Sequence, residues 1–169
     1  NLINRAIFAV SQNDQRPAFT GLFFRIDGDN ITVVGVDGNR LAISEADAPE
    51  ESAEAQFIVP AKILTELMKL IKDTEDDVTI SLARKHVIFS VGDIYYFSRL
   101  IETEYVDYTR AIPKSHVTEV FINMSQFKAA IERALLISED KLGGNYHTFV
   151  KLDFSGSTLK VSADSTSGS

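Results

Sequence analysis

The sequence contains no cysteine among its 169 residues, which excludes disulfides and thiolate zinc sites and fits a reducing compartment. It has no apolar run near the roughly 18 residues of a membrane-spanning helix, and no basic-then-apolar leader of a secretory signal. It also lacks an excess of positive charge: the net charge is −7, whereas a general nucleic-acid binder is normally basic. A local basic face is nevertheless compatible with an acidic total.

What is present is the composition of a folded protein. Hydrophobic residues make up 44% of the chain and charged residues 24%, as in ordinary globular proteins, and the length indicates one or two domains. Helical and alternating apolar spacings predict the elements. Helices are predicted at 2–10, 61–72 and 125–138, and strands at 22–26, 31–35, 41–43, 57–59, 78–80, 87–89, 95–97 and 117–122. Many short strands with few helices indicate an α+β fold with antiparallel sheet.

Local signals refine these elements. Pro60 fits the first turn of helix 61–72, where its missing N–H costs nothing, and Ser125 is the predicted N-cap of the last helix. The segment 46–55 is acidic and is predicted to be an exposed connection, and 105–113 is predicted to be a linker. The predicted core face of helix 61–72 consists of Ile63, Leu64, Leu67, Leu70 and Ile71.

A gap-free internal repeat is the strongest pattern. Adding 128 to the residue numbers aligns residues 1–41 with 129–169. The identical pairs are Ile3 with Ile131, Arg5 with Arg133, Ala6 with Ala134, Thr20 with Thr148, Gly28 with Gly156 and Val33 with Val161. Although any helix followed by a hairpin would give part of this agreement, we predict the same helix-plus-hairpin unit in both copies.

No residue pattern predicts catalysis or a metal site. His86, His116 and His147 have no second ligand three or four residues away, so each is predicted to be a surface or edge-strand residue. The carboxylates within 73–77 lack EF-hand spacing and predict a solvated loop. Nucleophile elbow, P-loop and dinucleotide-binding motifs are missing. The sequence therefore predicts a protein that is not an enzyme and needs no cofactor.

Positive charge is concentrated on predicted helices. Lys62, Lys69 and Lys72 share one stripe of helix 61–72, and Arg5 and Arg133 occupy equivalent places in the repeat. Two interpretations stay open on spacing alone. The stripe is either an ordinary solvated helix face or a basic lining that faces phosphates.

The stretch VVGVDGNRLAI (33–43) is a strand, a turn and a second strand, and it places an arginine directly after the turn. Asp-Gly between apolar runs is a strong hairpin signal, because glycine accepts a positive φ without steric cost. A hairpin turn alone does not need Arg40. The turn is therefore a candidate for presenting a side chain to a partner.

Five ordered stretches resemble the bacterial replicative sliding clamp family, the β subunit of DNA polymerase III. They are FAVSQNDQRPAFTG (8–21), VDGNRLA (36–42), FIVPAKILTELMKLI (57–71), VGDIYYFSRLIE (91–102) and YVDYTRAIP (105–113). The resemblance covers essentially the whole chain. It implies the α+β DNA-clamp fold, with repeated units of helix and antiparallel sheet.

The resemblance also implies a domain organisation. Residues 1–113 would be the middle of three similar domains, without its first strand, and residues 114–169 would be the N-terminal half of the third. In the family, two subunits close into a ring around duplex DNA. The implied function is a non-catalytic processivity factor in the cytoplasm, associated with the nucleoid. The alternative is a tandem-repeat protein-interaction module with no role on DNA.

The resemblance further implies a pocket for short peptides of the polymerase, the clamp loader and repair proteins. Its wall would consist of Phe19, Val36, Gly38, Asn39, Arg40, Leu41, Val106, Arg110 and Ala111. An apolar slot would hold a Leu or Phe anchor and arginines would orient the peptide at the rim. The family more often has Leu at position 19, a hydroxyl residue at 36, His at 39, Pro at 106 and Val at 111.

The resemblance places a second set of residues against DNA. Gln12, Asn13, Arg16 and Lys62 match or neighbour the positions that face the duplex inside the ring. Sparse contacts that do not read sequence suit sliding, because base readout would hold the protein at one site. We expect duplex DNA to be encircled without sequence preference, and no membrane to be bound.

Overall fold

The computed structural model describes residues 2–12, 15–49, 52–72, 76–138 and 150–163. The chain divides into two compact units, residues 1–113 (unit 1) and residues 114–169 (unit 2). Among the described residues, no helix combines the length and apolar character needed to cross a membrane.

The described residues of unit 1 form two α-helices and seven strands. The helices are α1 (Leu2–Ala6), which continues as a 3-10 turn over Ile7–Ala9, and α2 (Ala61–Leu70). The strands are β1 (Gly21–Asp27), β2 (Asn30–Val36), β3 (Leu41–Asp47), β4 (Ala55–Pro60), β5 (Thr79–Leu82), β6 (His86–Val91) and β7 (Ile94–Arg99). Because β3 and β4 take up both ends of the segment 46–55, the predicted exposed connection is shorter than expected.

The strands of unit 1 form two antiparallel sheets. One has the order β3-β2-β1-β4 and the other β5-β6-β7. Each helix is followed by a three-stranded meander, β1 to β3 after α1 and β5 to β7 after α2. The core joins both helices to both sheets and includes Ala6, Leu22, Phe24, Val33, Phe57, Val59, Leu64, Leu67, Val87 and Phe89. This is the α+β fold with antiparallel sheet that the sequence predicts.

The four-stranded sheet is apolar on both faces. Successive side chains on a strand point to opposite faces, so Leu22 and Phe24 enter the core while Phe23 points away from it. Phe23, Val34 and Ile58 form a second buried cluster on that opposite side, which is called the outer face below. A sheet with two buried faces needs a second layer of chain, and residues 101–108 contribute to it.

Helix α2 corrects one part of the predicted core face. Leu64 and Leu67 are fully buried, and Ile63 and Ile71 pack at the edge of the core. Leu70, however, is 52% exposed. The helix ends at Leu70, where the N–H of Ile71 caps the carbonyl of Leu67. Met68, one turn after Leu64, is partly buried.

Unit 2 contains helix α3 (Met124–Ser138) and a hairpin of β8 (Lys151–Ser155) and β9 (Thr158–Ser162). The repeat prediction is confirmed in the strand register. Phe24 pairs with Val33 in the first hairpin, and Leu152 pairs with Val161 in the second, at the same offset of 128. Gly28 and Gly156 both have positive φ, 59° and 55°. The same turn therefore closes both hairpins.

Two predictions in unit 2 are wrong. Residues 117–122 form no strand, and Val117 and Phe121 are almost completely exposed. A strand requires a hydrogen-bonded neighbour, and within the described part of unit 2 the strands β8 and β9 pair only with each other. The N-cap of α3 is Asn123 and not Ser125, because the Asn123 side chain accepts the N–H of Gln126 at 3.1 Å.

Candidate functional site

The outer face of the four-stranded sheet is covered by the chain that follows β7. Tyr105 stacks on Phe23, with ring centroids 4.8 Å apart and planes 10° from parallel. Its hydroxyl donates a hydrogen bond to the Val34 carbonyl at 3.3 Å, and Tyr108 packs against the same phenylalanine. The segment predicted as a linker, 105–113, is thus packed onto the sheet over its first part. Burial raises the pKa of Tyr105 well above its usual range.

An open groove of about 550 Å³ lies beside this cover. One wall is formed by residues 15–19, which include the 3-10 turn Pro17–Thr20. The other wall is formed by residues 103–107. Phe19 contacts Tyr105 edge to face at 6.4 Å, and Val106 is 43% exposed. The groove therefore offers accessible apolar surface with polar groups at its margins.

The turn between β2 and β3 is held by the side chain of Asp37. One carboxylate oxygen accepts the N–H groups of Asn39 and Arg40 at 2.9 and 3.0 Å, and the other accepts the Nε–H of Arg40 at 2.8 Å. The hydrogen bond from Asn39, with those from Arg40, lowers the pKa of Asp37. Gly38 has φ +95°, a conformation that favours glycine. The turn is built to fix an exposed arginine.

Arg16 belongs to this site, which the sequence did not indicate. Its guanidinium lies 4.7 Å from the centre of the Phe19 ring and donates to the Asp37 carbonyl at 3.5 Å. A Cβ atom at Gly38 would come within 3.2 Å of the same guanidinium. The signal that could have revealed this is the three-residue spacing of Arg16 and Phe19 across a proline-initiated turn, which places both side chains on one side.

The other predicted wall residues lie on the same unit in two places. Val36 and Leu41 are direct cross-strand partners, and Leu41 packs against the Phe23 cluster of the outer face. Arg110 and Ala111 belong to the 3-10 helix Tyr108–Ala111. The structure thus brings Phe19 and Val106 into one groove and places Leu41 and Tyr108 against one apolar cluster.

The residues predicted to face DNA separate into two places. Gln12 and Lys62 line one shallow depression between the start of the chain and α2, whereas Arg16 contacts Phe19 and the Asp37 carbonyl. Asn13 lies outside the described residues. In the basic stripe of α2, Lys69 pairs with Glu66 at 3.1 Å. Lys62 makes no ion pair within the part of the chain that the structure describes.

The described residues include no group of three or more His, Asp or Glu side chains arranged to hold a metal ion. Asp76 and Asp77 precede β5, while the other acidic positions of the predicted loop, and His147, lie outside the described residues. The described residues of unit 1 provide an apolar groove, a turn that fixes an exposed arginine, and a depression that holds Lys62 beside Gln12.

Comparisons with known proteins agree on one family. The family described as DNA polymerase III beta subunit, central domain, matches residues 1–107. A beta sliding clamp of Staphylococcus epidermidis is 34% identical over 165 residues, and one of Staphylococcus aureus is 33% identical. Each alignment covers 98% of this chain but 43% of the relative, so the chain spans less than half the length of these relatives.

Solved structures give the same result. A Pseudomonas aeruginosa sliding clamp bound to griselimycin superposes with a TM-score of 0.81 at 30% identity, over 95% of this chain and 42% of the other. A Bacillus subtilis DNA polymerase sliding clamp superposes with a TM-score of 0.78 at 28% identity, over 96% and 46%. The α+β arrangement of unit 1 is therefore a clamp fold, and the chain belongs to the DNA polymerase III beta subunit family of sliding clamps.

Proposed function

We propose that this chain is part of a ring-shaped, non-catalytic processivity factor that encircles duplex DNA and tethers the polymerase. Residues 1–113 act as the middle domain and residues 114–169 as the N-terminal half of the third. The family match over residues 1–107, the division into compact units after Pro113 and the 128-residue repeat of the hairpins support this assignment. In the longer protein, two subunits form the ring.

The sheet order of unit 1 also supports the domain assignment. Strand β4 directly precedes α2 and pairs with β1. A strand directly ahead of α1 would stand in the equivalent place beside β5, which pairs only with β6 among the described residues. The middle domain in our proposal has this additional first strand.

The observation that carries the proposal is the groove beside the arginine turn. Phe19 and Val106 supply apolar surface, and Arg16 and Arg40 stand at the β2–β3 turn. Peptide sites commonly combine a pocket for an apolar anchor with a few polar groups that fix orientation. Polymerase, clamp loader and repair proteins would therefore dock here through short peptide segments.

Lys62 and Gln12 are the residues that we assign to the DNA-facing side. They lie together on a surface formed by the 3-10 turn after α1 and by the start of α2. The position of Arg16 supports a role at the peptide groove rather than beside Lys62. With so few cations, contact with phosphates would be weak, and topology would hold the protein on DNA.

The peptide role is tested by replacing Leu41. A short peptide with a Leu-Phe anchor is titrated against the chain by calorimetry. Because Leu41 packs at the outer face next to the groove, we expect Leu41→Ala to weaken binding by about 1–3 kcal/mol. Leu70→Ala is the matched control, because Leu70 is exposed on α2. Equal affinities of the wild type and Leu41→Ala would contradict the assignment.

The DNA role is tested by titrating the chain with duplex DNA over a range of salt concentrations. Binding should be weak with a shallow salt dependence, since each neutralised phosphate contributes a slope of about −0.9. Lys62→Glu should abolish this weak binding. Lys69→Glu should have a smaller effect, because Lys69 already pairs with Glu66. Tight, steeply salt-dependent binding would indicate a contact-driven DNA binder instead of an encircling clamp.

A further inference from the structure

Two arginines of the proposed peptide site, Arg40 and Arg110, are held in the same way by an aspartate three residues earlier. Arg40 bonds through Nε to Oδ2 of Asp37 at 2.8 Å, and Arg110 bonds through Nε to Oδ2 of Asp107 at 2.9 Å. The two pairs lie in different segments, the β2–β3 turn and the 3-10 helix over 108–111. The shared geometry is therefore not a consequence of one shared element.

Each aspartate divides its two oxygens between two tasks. In Asp37, Oδ1 accepts the backbone N–H groups of the turn while Oδ2 takes the arginine. In Asp107, Oδ1 accepts the Thr109 hydroxyl at 2.6 Å while Oδ2 takes Arg110. One oxygen fixes the local backbone or side chain, and the other fixes the guanidinium relative to it.

The choice of nitrogen determines which part of the arginine stays available. A guanidinium bound at Nε keeps its two terminal nitrogens directed away from its own chain, and these nitrogens match the spacing of a carboxylate. Within the described residues, no ion pair of Arg40 or Arg110 other than these two is present. By contrast Arg25, which does not line the groove, pairs with Asp27 through the terminal nitrogen Nη2.

Stability alone gives little reason for these pairs. The side chains of Arg40 and Arg110 are 58% and 86% exposed, and exposed ion pairs contribute little to folding. The pairs orient the arginine side chains even though these side chains are exposed. A side chain that is already oriented loses less entropy when a partner binds.

We propose that Asp37 and Asp107 are positioning residues, which hold Arg40 and Arg110 by Nε so that the terminal nitrogens bind a carboxylate of the partner peptide. The inference rests on the proposed peptide-binding function. Hydrogen bonds from Asn39 lower the pKa of Asp37, and one from Thr109 lowers that of Asp107. Both aspartates are therefore charged at neutral pH.

The test uses two peptides with the same Leu-Phe anchor, one with an aspartate beside the anchor and one with asparagine there. Wild type should bind the aspartate peptide roughly 3–10-fold more tightly. Asp37→Asn retains an oxygen for the turn but loses the charge that holds Arg40, so the preference should fall toward one. Asp107→Asn should act in the same direction. Asp27→Asn, which breaks the pair of Arg25, should leave the preference unchanged.

A double-mutant cycle separates positioning from a general structural role. Asp37→Asn should have no further effect in an Arg40→Ala background, because its action passes through that arginine. In parallel, the Arg40 Nε–H signal in NMR spectra should shift and exchange faster with water in Asp37→Asn. Additive losses on both peptides, or an unchanged Nε–H signal, would overturn the inference.

The outcomes also separate the inference from the proposed function. If wild type binds the peptides and Arg40→Ala weakens binding, but Asp37→Asn and Asp107→Asn keep the full preference, the positioning role is refuted while peptide binding stands. If wild type binds neither peptide, the proposed function fails and the inference falls with it.

Discussion

The two repeated hairpins, closed by Gly28 and Gly156, have the same register but very different surroundings. In the first, Phe24 and Leu22 are almost completely buried, and Phe24 stacks on Phe57 at 5.1 Å. In the second, Leu152, which is equivalent to Phe24, is 38% exposed, and Phe154, which is equivalent to the half-buried Ile26, is 50% exposed. The local sequence is thus sufficient to form the hairpin, and burial depends on the layers that the rest of the unit supplies.

The outer faces differ in the same way. The first hairpin is covered on its outer side by Tyr105 and Tyr108, and beyond β2 it continues into the Asp37–Arg40 turn. No such cover is present over β8 and β9 within the described part of unit 2. The chain segment that covers the first hairpin also forms one wall of the groove. Unit 1 therefore has the candidate site because its hairpin is covered.

The largest expected difference between the hairpins concerns the equivalent residues Phe24 and Leu152. Phe24→Ala should destabilise the protein by about 3–5 kcal/mol, because it removes a fully packed side chain and leaves a cavity. Leu152→Ala should cost only about 1 kcal/mol or less, because Leu152 is already 38% exposed. Urea denaturation followed by tyrosine fluorescence measures the first effect well, since four of the five tyrosines lie in residues 1–113. Equal losses in the two variants would contradict the burial difference.

The turn glycines should respond equally. A Cβ at Gly28 or Gly156 would meet no atom within 4 Å, so only the positive φ is unfavourable. Gly28→Ala and Gly156→Ala should each weaken their own hairpin by about 1–2 kcal/mol, measured by amide hydrogen exchange in the adjoining strands. Asparagine at either position is the control and should cost less, since it tolerates this conformation. A penalty in only one hairpin would mean that the turns are not equivalent.

The smallest effect concerns the tyrosine that covers the first hairpin. Tyr105→Phe removes the hydrogen bond to Val34 and should cost about 0.5–1.5 kcal/mol, whereas Tyr95→Phe, at an exposed position, should be neutral. Thermal unfolding of both variants measures this. If both variants behave alike, the hydroxyl of Tyr105 does not hold the segment on the sheet.

The pH dependence of the free energy of unfolding also tests the burial of the Tyr105 hydroxyl. The folded-state pKa of Tyr105 is raised above its ordinary value of 10.0, so the unfolded chain releases this proton first. The stabilising contribution is complete below pH 10.0 and is lost as the pH rises further. Wild type should therefore lose more stability than Tyr105→Phe between pH 9 and pH 11 (about one unit on either side of the ordinary value). Identical pH profiles would contradict the burial of the hydroxyl.

Local features of the fold were predictable because local signals determine them. The hairpin around Gly28, its repeat at Gly156 and the turn at Asp37 follow from short-range turn chemistry. The strand at 117–122 was mispredicted because the sequence pattern shows only which side chains could share one face of a strand. A strand also needs a hydrogen-bonded neighbour, which the local pattern does not provide. The sequence predicted Ser125 as the cap of α3, but the structure shows the cap at Asn123, two residues earlier.

Residues of the candidate site could be proposed from the sequence, but the contacts between them could not. The resemblance assigned Phe19, Arg40 and Val106, and all three lie on unit 1. The contact of Arg16 with Phe19 follows from their local spacing of three residues, but no local pattern encodes the hydrogen bond of Arg16 to a carbonyl 21 residues away. The Asp37–Arg40 and Asp107–Arg110 pairs have a readable spacing of three, yet only coordinates reveal which nitrogen each aspartate holds.

The central claim is that partner recognition lies on the covered first hairpin and not on its repeat. It is tested most directly by titrating the ¹⁵N-labelled chain with the Leu-Phe peptide and following amide shifts. We expect saturable changes in the amide shifts of Phe19, Gly38–Leu41 and Val106–Ala111, and unchanged amide shifts in β8 and β9. Shifts at Gln12 and Lys62, or at the second hairpin, in place of the groove would contradict it.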